Sequence, residues 1–149
     1  MEILEVRGTL LAIGGGEDKE NECLILREFL RLAGGENANI VVMTTATNLP
    51  EEVAAEYKKV FKRLGAKKVE AIDVSTREDA MKPKCCEKVE KASGIFFTGG
   101  DQLHITSLMG GTDLQKAILK SYENGVIVAG TSAGAGMMGN SMIVSGDSD

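Results

Sequence analysis

The residue best suited to chemistry in this sequence is a serine flanked by small residues. Ser132 lies in the segment Gly130-Thr131-Ser132-Ala133-Gly134, which matches the Gly-x-Ser-x-Gly pattern of a serine nucleophile on a sharp strand-to-helix turn. Larger flanking side chains would collide across so tight a turn. The pattern predicts a serine hydrolase in which Ser132 attacks a carbonyl carbon and the Ala133 amide donates to the oxyanion. The alternative is a serine that only caps a helix start.

A second glycine-rich loop follows another apolar run, at Gly99-Gly100-Asp101-Gln102. If the strands before the two loops are neighbours, this loop lies beside Ser132, because ligands bind outside the carboxyl ends of parallel strands. Amides around Gly100 and Asp101 would then complete an oxyanion hole, although Asp101 as a plain helix cap is the alternative. The predicted catalytic residues are Ser132, Ala133 and Gly100, and the predicted substrate-binding residues are Gly99, Asp101 and Gln102.

A third loop, Gly14-Gly15-Gly16, has the composition of a dinucleotide-binding turn. Lys19 occupies the place of the third glycine in Gly-x-Gly-x-x-Gly, however, and the next predicted strand ends in threonines rather than in a ribose-binding acid. No cofactor is therefore expected. Glu17 and Asp18 suit a cationic substrate, or serve only as charges in the first turn of a helix.

A serine nucleophile needs a general base, and the sequence contains one histidine, His104. It falls early in the helix predicted after the second loop, where it would face either the ligand-binding crevice or, as we expect, solvent. One histidine and three cysteines, Cys23, Cys85 and Cys86, form no ligand constellation for a metal ion. No metal is expected either.

Composition excludes several functional classes. The chain has 149 residues and a net charge of −5, and it has no cluster of lysine and arginine that would bind phosphates, so nucleic-acid binding is not expected. Membrane association is not expected, because no apolar run approaches the ~20 residues of a spanning helix. The charged start of the chain does not resemble a signal peptide. An odd number of cysteines, two of them adjacent, favours the reducing cytoplasm.

Apolar runs alternate with amphipathic stretches along the whole chain. The predicted strands are Thr9–Ile13, Ile40–Met43, Val69–Val74, Gly94–Thr98 and Val126–Ala129. The apolar spacing between them predicts helices, one of which carries Cys23 on its buried face and one of which begins near Pro50. Charges in the third strand place it at a sheet margin. The predicted fold is a three-layer α/β/α domain with a parallel sheet, of Rossmann-like or flavodoxin-like type.

Four ordered segments resemble the cyanophycinase family of serine peptidases, which includes dipeptidase E. They are Gly8–Lys19, Thr98–Gln102, Ile105–Ser107 and Ala129–Ala135, and the match extends to Ser141–Ile143 and Gly146. The resemblance implies a fold like that of class I glutamine amidotransferases. It also implies an exopeptidase that cleaves the poly-aspartate backbone of cyanophycin to β-Asp-Arg dipeptides without a cofactor. Ser132 would attack the aspartyl carbonyl, with Asp101 and Gln102 in the substrate-binding loop.

The same resemblance implies that part of the active site lies outside these 149 residues. The family's catalytic histidine follows the serine in an Asp-Gln-His-Phe-like segment, which this sequence lacks, and the arginine usual at position 104 is a histidine here. The family sheet has about seven strands in the order 3-2-1-4-5-6-7, of which five are present. We therefore expect one incomplete domain over residues 1–149, with the fifth strand at an exposed edge.

An exposed apolar edge predicts a partner. Either a second chain supplies the missing C-terminal strands, or the protein forms a homo-oligomer, or the 149 residues are a fragment of a longer protein. We expect the 149-residue chain alone to have little or no peptidase activity. Two other functions stay open: a truncated or split product that binds peptide without cleaving it, and a related acyl-dipeptide hydrolase on the same fold.

Overall fold

The computed structural model describes residues 6–146, in which strands and helices alternate as the sequence predicts. The strands are β1 (Leu10–Ile13), β2 (Asn39–Met43), β3 (Lys68–Ile72), β4 (Gly94–Phe97) and β5 (Ile127–Thr131). The α-helices are α1 (Leu24–Leu32), α2 (Pro50–Arg63), α3 (Pro83–Glu90), α4 (Gln102–Met109), α5 (Asp113–Glu123) and α6 (Ala133–Gly136). Two short 3-10 turns lie at Gly35–Asn37 and Asp79–Met81.

Helix α2 begins at Pro50, as predicted, and its sequence accounts for both ends. Proline suits the first helical position because the amide there has no intrahelical partner. Glu51 and Glu52 lie in the first turn, and Lys62 and Arg63 lie in the last. Each pair is opposite in charge to its end of the helix dipole and therefore stabilises that end.

Helix α1 begins after Cys23 rather than at it, so the prediction that Cys23 lies within the helix is wrong. Cys23 has left-handed backbone angles (φ 51°, ψ 38°), and its amide donates to Asp18 Oδ2 at 3.0 Å. The side chain is nevertheless fully buried. Apolar spacing located a core residue correctly and missed the turn, because spacing reports burial rather than backbone angles.

The sheet is parallel, with the strand order β1-β5-β4-β2-β3. β3 pairs only with β2, which confirms its predicted place at a margin. The expectation that β5 forms an exposed edge is wrong, and so is the order 3-2-1-4-5 that the resemblance implied. β5 lies between β1 and β4, and all five of its residues are buried. The order of the strands along the chain does not fix their order in the sheet, because a helical crossover lets a later strand insert between two earlier strands.

Helices cover both faces of the sheet, which confirms the three-layer prediction. Helices α1 and α2 pack on one face through side chains such as Phe29 and Phe61. Helices α3, α4 and α5 pack on the other face through Val89, Ile105 and Leu114. Burial on both faces explains why β2, β4 and β5 are almost continuously apolar.

Four aromatic rings form the centre of the first layer. Neighbouring ring centroids of Phe29, Tyr57, Phe61 and Phe96 lie 4.9–6.1 Å apart. The rings fill the space between α1, α2 and the sheet in tilted, edge-on and stacked arrangements. Tyr57 also carries a hydroxyl, which reaches Glu17 beyond the carboxyl end of β1. The core is therefore in direct contact with the loops at that end of the sheet.

β1, rather than β5, forms the edge of the sheet opposite β3. It pairs only with β5, and Leu10 is 49% exposed. An apolar groove of about 480 Å³ lies beside this strand and is called the β1 groove below. Its lining includes Leu10, Ile105, Met109, Leu119, Tyr122 and Met138. An open strand edge next to an apolar groove offers both hydrogen bonds and buried area to a further element.

Candidate active site

Ser132 is the single residue between β5 and α6, and its backbone is strained. Its angles are φ 53° and ψ −112°, a region that costs a residue with a side chain about 1–3 kcal/mol. The surrounding chain holds it there: the Ser132 amide donates to the Ile13 carbonyl at 2.9 Å, and the Ser132 carbonyl accepts from the Gly136 amide at 2.9 Å. The residue is exposed, so its hydroxyl stands at the surface.

The glycines on either side of Ser132 are required by close backbone approach, as the sequence predicts. A Cβ on Gly130 would lie 2.2 Å from the Gly134 carbonyl oxygen, and a Cβ on Gly134 would lie 2.5 Å from the Phe97 carbonyl oxygen. Neither obstacle is a flexible side chain. The turn therefore exists only because both positions lack a side chain.

Replacing Gly134 with alanine is expected to lower the free energy of unfolding by about 3 kcal/mol, because the new methyl group meets the backbone of β4. Gly136→Ala is the matched control in the same helix, since a Cβ there meets nothing within 4 Å. The control should leave stability unchanged or raise it slightly. Urea denaturation of both variants measures the difference, and equal midpoints would contradict the packing described for α6.

The Gly99–Gly100 loop lies beside Ser132, because β4 and β5 are parallel neighbours with Phe97 opposite Gly130. A Cβ on Gly99 would lie 3.4 Å from the Ser132 Cβ. Gly100 has φ 140°, and a Cβ there would lie 2.0 Å from the Ala46 carbonyl oxygen. The expectation that the two loops lie side by side is confirmed. Gly100 must be glycine for both its angle and its contact.

In the part of the chain that the structure describes, the amides of Ala133 and Gly100 have no acceptor, and neither does that of Gly99. The Ala133 amide opens α6, where first-turn amides have no intrahelical partner. The Asp101 amide, by contrast, donates to the Ala46 carbonyl at 2.8 Å. Of the amides considered from sequence for an oxyanion, those of Ala133 and Gly100 therefore have a free hydrogen, and that of Asp101 does not.

Asp101 and Gln102 both contact the chain itself. The Asp101 side chain accepts from the Leu103 amide at 2.8 Å and caps α4, which is the alternative that the sequence left open. Gln102 Nε2 donates to the Ile143 carbonyl at 2.7 Å. Neither side chain lines the cleft at Ser132. Gln102 instead holds the segment that follows α6 against the start of α4.

His104 lies on the surface of α4, as expected, and does not reach the cleft at Ser132. Its side chain is half-exposed, with Nε2 3.9 Å from Asp101 Oδ2. It lines a different cleft, together with Asp73 and Ser75. The described residues therefore place no imidazole beside Ser132.

The cleft beside Ser132 lies between the loop that contains Gly15 and Gly16 and helix α2, and it has a volume of about 230 Å³. Charged and polar side chains line it, among them Glu17, Lys19, Glu56 and Tyr57. Lys19 Nζ lies 3.0 Å from Glu56 Oε2 and 4.8 Å from the centroid of the Tyr57 ring. The sequence alone did not indicate Tyr57 or Glu56, because nothing local in it brings helix α2 beside the Ser132 turn.

Glu17 and Asp18, paired in the sequence, have different roles in the structure. Asp18 accepts from the amides of Glu20, Asn21 and Cys23, and these bonds hold the pKa of its carboxyl far below the usual value. It shapes the loop before α1 and does not line the cleft. Glu17 is 8% exposed and does line it. Neither residue lies in the first turn of a helix, since α1 begins at Leu24.

Among residues 6–146, no group of three or more histidine, cysteine or acidic side chains is arranged to hold a metal ion. Within the same residues, no helix is long and apolar enough to cross a membrane.

The model of "Peptidase family S51" matches residues 10–149. The chain belongs to this family. Two cyanophycinases are among its curated relatives: that of Nostoc sp. is 38% identical over 140 residues, and that of Geminocystis herdmanii is 39% identical over 144 residues. These matches cover 93% and 96% of this chain but only 47% and 53% of the relatives. The chain thus spans about half the length of the curated relatives it matches.

Solved structures of peptidases share the fold. A peptidase from an acI-B1 actinobacterium has a TM-score of 0.72 at 28% identity, over 88% of this chain and 56% of that one. A putative peptidase E from Listeria monocytogenes has a TM-score of 0.65 at 23% identity, over 87% of this chain and 60% of that one. The parallel sheet with helices on both faces is therefore shared with these solved structures, and the Ser132 turn lies within residues 10–149, which the family model matches.

Proposed function

We propose that this chain supplies the nucleophile half of a serine exopeptidase of the cyanophycinase type, which hydrolyses the poly-aspartate backbone of cyanophycin to β-Asp-Arg dipeptides. The observation that carries the proposal is the backbone of Ser132, an exposed serine at φ 53° between two obligatory glycines. In this assignment the turn is a nucleophile elbow.

The proposed chemistry is acyl transfer. Ser132 Oγ attacks the aspartyl carbonyl carbon while its proton passes to a base, and the amides of Ala133 and Gly100 donate to the oxyanion that forms. Collapse of this intermediate breaks the C–N bond, and the leaving amine takes up the proton. Water then hydrolyses the acyl-enzyme by the same steps and restores Ser132. We place the base in the half of the relatives that this chain does not match.

Charges around the Ser132 cleft support an arginine-bearing substrate. Lys19 shows that the cleft already holds a cation, between the Glu56 carboxylate and the Tyr57 ring. A guanidinium group would find the same carboxylate and the same aromatic face. Gly99, Asp101 and Gln102 remain our proposed substrate-binding residues. Gln102 would exchange its bond with the Ile143 carbonyl for one with the substrate.

The β1 groove is our proposed docking place for the missing half. The relatives are about twice as long as this chain, and β1 is an open strand edge beside an apolar groove. A second half docked there would cover Leu10 and extend the sheet next to β1. A homo-oligomer through the same edge is the competing assembly. The three free cysteines support the reducing cytoplasm as the location.

The experiment adds the unmatched half of the Nostoc cyanophycinase to this chain, as a separate or fused polypeptide. We call the product the complemented enzyme. It should release β-Asp-Arg dipeptide from cyanophycin, identified by mass spectrometry. Release of ordinary aspartyl dipeptides from short peptides, with cyanophycin left intact, would instead identify a related dipeptide hydrolase. Cyanophycin binding without any product would identify a non-catalytic protein and overturn the proposal.

A further inference from the structure

One buried ionisable group beside Ser132 has no part in the chemistry proposed above: the carboxylate of Glu17. It is only 8% exposed and lines the same cleft as Ser132. A buried carboxylate is costly unless hydrogen bonds replace its lost hydration. Its presence at this point of the molecule therefore calls for a physical reason.

Glu17 joins two elements that are far apart in sequence. Tyr57 of α2 donates its hydroxyl hydrogen to Oε1 at 2.5 Å, and Thr131 at the end of β5 donates to Oε2 at 2.7 Å. Burial, and then the hydrogen bond to Glu17, raise the pKa of Tyr57 far above its usual value. The phenol thus stays protonated and remains a donor. Both carboxylate oxygens are satisfied, so Glu17 acts as a bridge between α2 and β5.

The bridge ends on the residue next to the nucleophile. Thr131 immediately precedes Ser132, whose amide donates to the Ile13 carbonyl at 2.9 Å. The loop between Ile13 and Glu17 also touches the serine from the side, because a Cβ on Gly15 would lie 3.3 Å from the Ser132 Cβ. A strained residue persists only where its surroundings over-determine it. Glu17 supplies one of those restraints.

We propose that Glu17 is a positioning residue, which fixes Thr131 through a hydrogen bond and thereby holds the Ser132 hydroxyl in its reactive orientation. This inference rests on the proposed function, because a loss of positioning lowers kcat only if Ser132 is the nucleophile. Glu17 itself does not touch the reacting atoms. Its role requires two hydrogen-bond acceptors or their equivalent, and it does not require a negative charge.

The kinetic test compares two replacements of Glu17 in the complemented enzyme. Glu17→Leu keeps the volume and removes both bonds, so kcat should fall about 100-fold with little change in KM. Glu17→Gln can keep both bonds, because the Thr131 hydroxyl can rotate to accept from the new amide, and kcat should stay within about fivefold of wild type. A glutamine variant as poor as the leucine variant would show a need for charge and overturn the proposal.

A double-mutant cycle tests whether Glu17 acts through Thr131. Thr131→Val removes the hydroxyl while keeping the shape, and it should lower kcat as Glu17→Leu does. The double variant should be no slower than either single variant. Thr112→Val is the stability control, because it removes the buried N-cap hydroxyl of α5 away from the cleft. It should lower the urea midpoint and leave kcat unchanged. Fully additive losses would overturn the proposal.

Amide hydrogen exchange separates failure of this proposal from failure of the proposed function. If the wild-type complemented enzyme does not hydrolyse cyanophycin, the proposed function is wrong. The restraint that Glu17 places on the Ser132 turn can still be measured in this chain alone. Glu17→Leu should then speed exchange at the Ser132 amide about 10-fold more than at Val42 in the sheet centre, because the turn opens locally. Equal acceleration at both amides would overturn the positioning role.

Discussion

Replacing Ser132 with alanine is expected to lower cyanophycin hydrolysis by the complemented enzyme by about 10⁴- to 10⁶-fold, because no other group takes over a lost nucleophile. Fluorophosphonate labelling of the same protein should disappear. Ser121→Ala is the matched control, since Ser121 is buried on α5 and its hydroxyl donates to the Val89 carbonyl, outside the cleft at Ser132. Its hydrolysis rate should equal that of wild type. Labelling that persists in Ser132→Ala would place the nucleophile elsewhere.

Two variants at Ser132 should differ in stability, with Ser132→Gly more stable than Ser132→Ala. Glycine tolerates φ 53° freely, so Ser132→Gly relieves a strain of about 1–3 kcal/mol that Ser132→Ala retains. Glycine also has more conformational freedom than alanine in the unfolded chain, which offsets about 0.5–1 kcal/mol of the relieved strain. The glycine variant should therefore be about 1 kcal/mol more stable than the alanine variant. The urea denaturation midpoints of the two variants measure this difference. A glycine variant less stable than the alanine variant would contradict the strain described at the turn.

Adding the unmatched half of the Nostoc relative is expected to raise hydrolysis at least about 10⁴-fold over this chain alone, because we propose that this half carries the base. Assembly should depend on the β1 groove. Leu119→Asp places a charge in that groove, where Leu119 is 50% exposed. It should weaken binding of the second half by about 30- to 150-fold, the equivalent of one lost leucine contact.

Leu24→Asp is the matched control for the groove. Leu24 is also a helical leucine and is 69% exposed, but it lies on α1, outside the β1 groove. Its variant should bind the second half as the wild type does, when both affinities are measured by analytical ultracentrifugation. Equal weakening by the two variants would exclude the groove as the docking place. A stable dimer of this chain that Leu119→Asp dissociates would favour the homo-oligomer instead.

The helices, the strands and the position of the Ser132 turn could be predicted from the sequence, because each depends on residues that are close together in the chain. Apolar runs and helical spacing report burial directly, and Pro50 sits at a helix start in any fold. Gly130 and Gly134 flank Ser132 because of contacts within one tight turn. The position of the Gly99–Gly100 loop beside Ser132 could also be predicted, since β4 and β5 are consecutive strands in the chain and neighbours in the sheet.

Features that depend on long-range pairing were not predictable in the same way. No local signal shows that β5 inserts between β1 and β4, and the order taken from the resemblance was wrong. The Glu17 bridge was missed for the same reason. Tyr57 has the spacing of an ordinary core residue, and only the assembled sheet brings its hydroxyl and that of Thr131 to one carboxylate.

The place of β5 in the sheet has a consequence for how the protein is made. Leu10 of β1 pairs with Val128 of β5, so β1, the first of the described strands, has no partner until nearly all the described chain has been translated. Contacts of such sequence separation form slowly. The Ile13 carbonyl therefore cannot accept from the Ser132 amide until the chain has been translated as far as Ser132. Until then β1 is an unpaired apolar segment, and chaperone binding to the nascent chain would be most useful there.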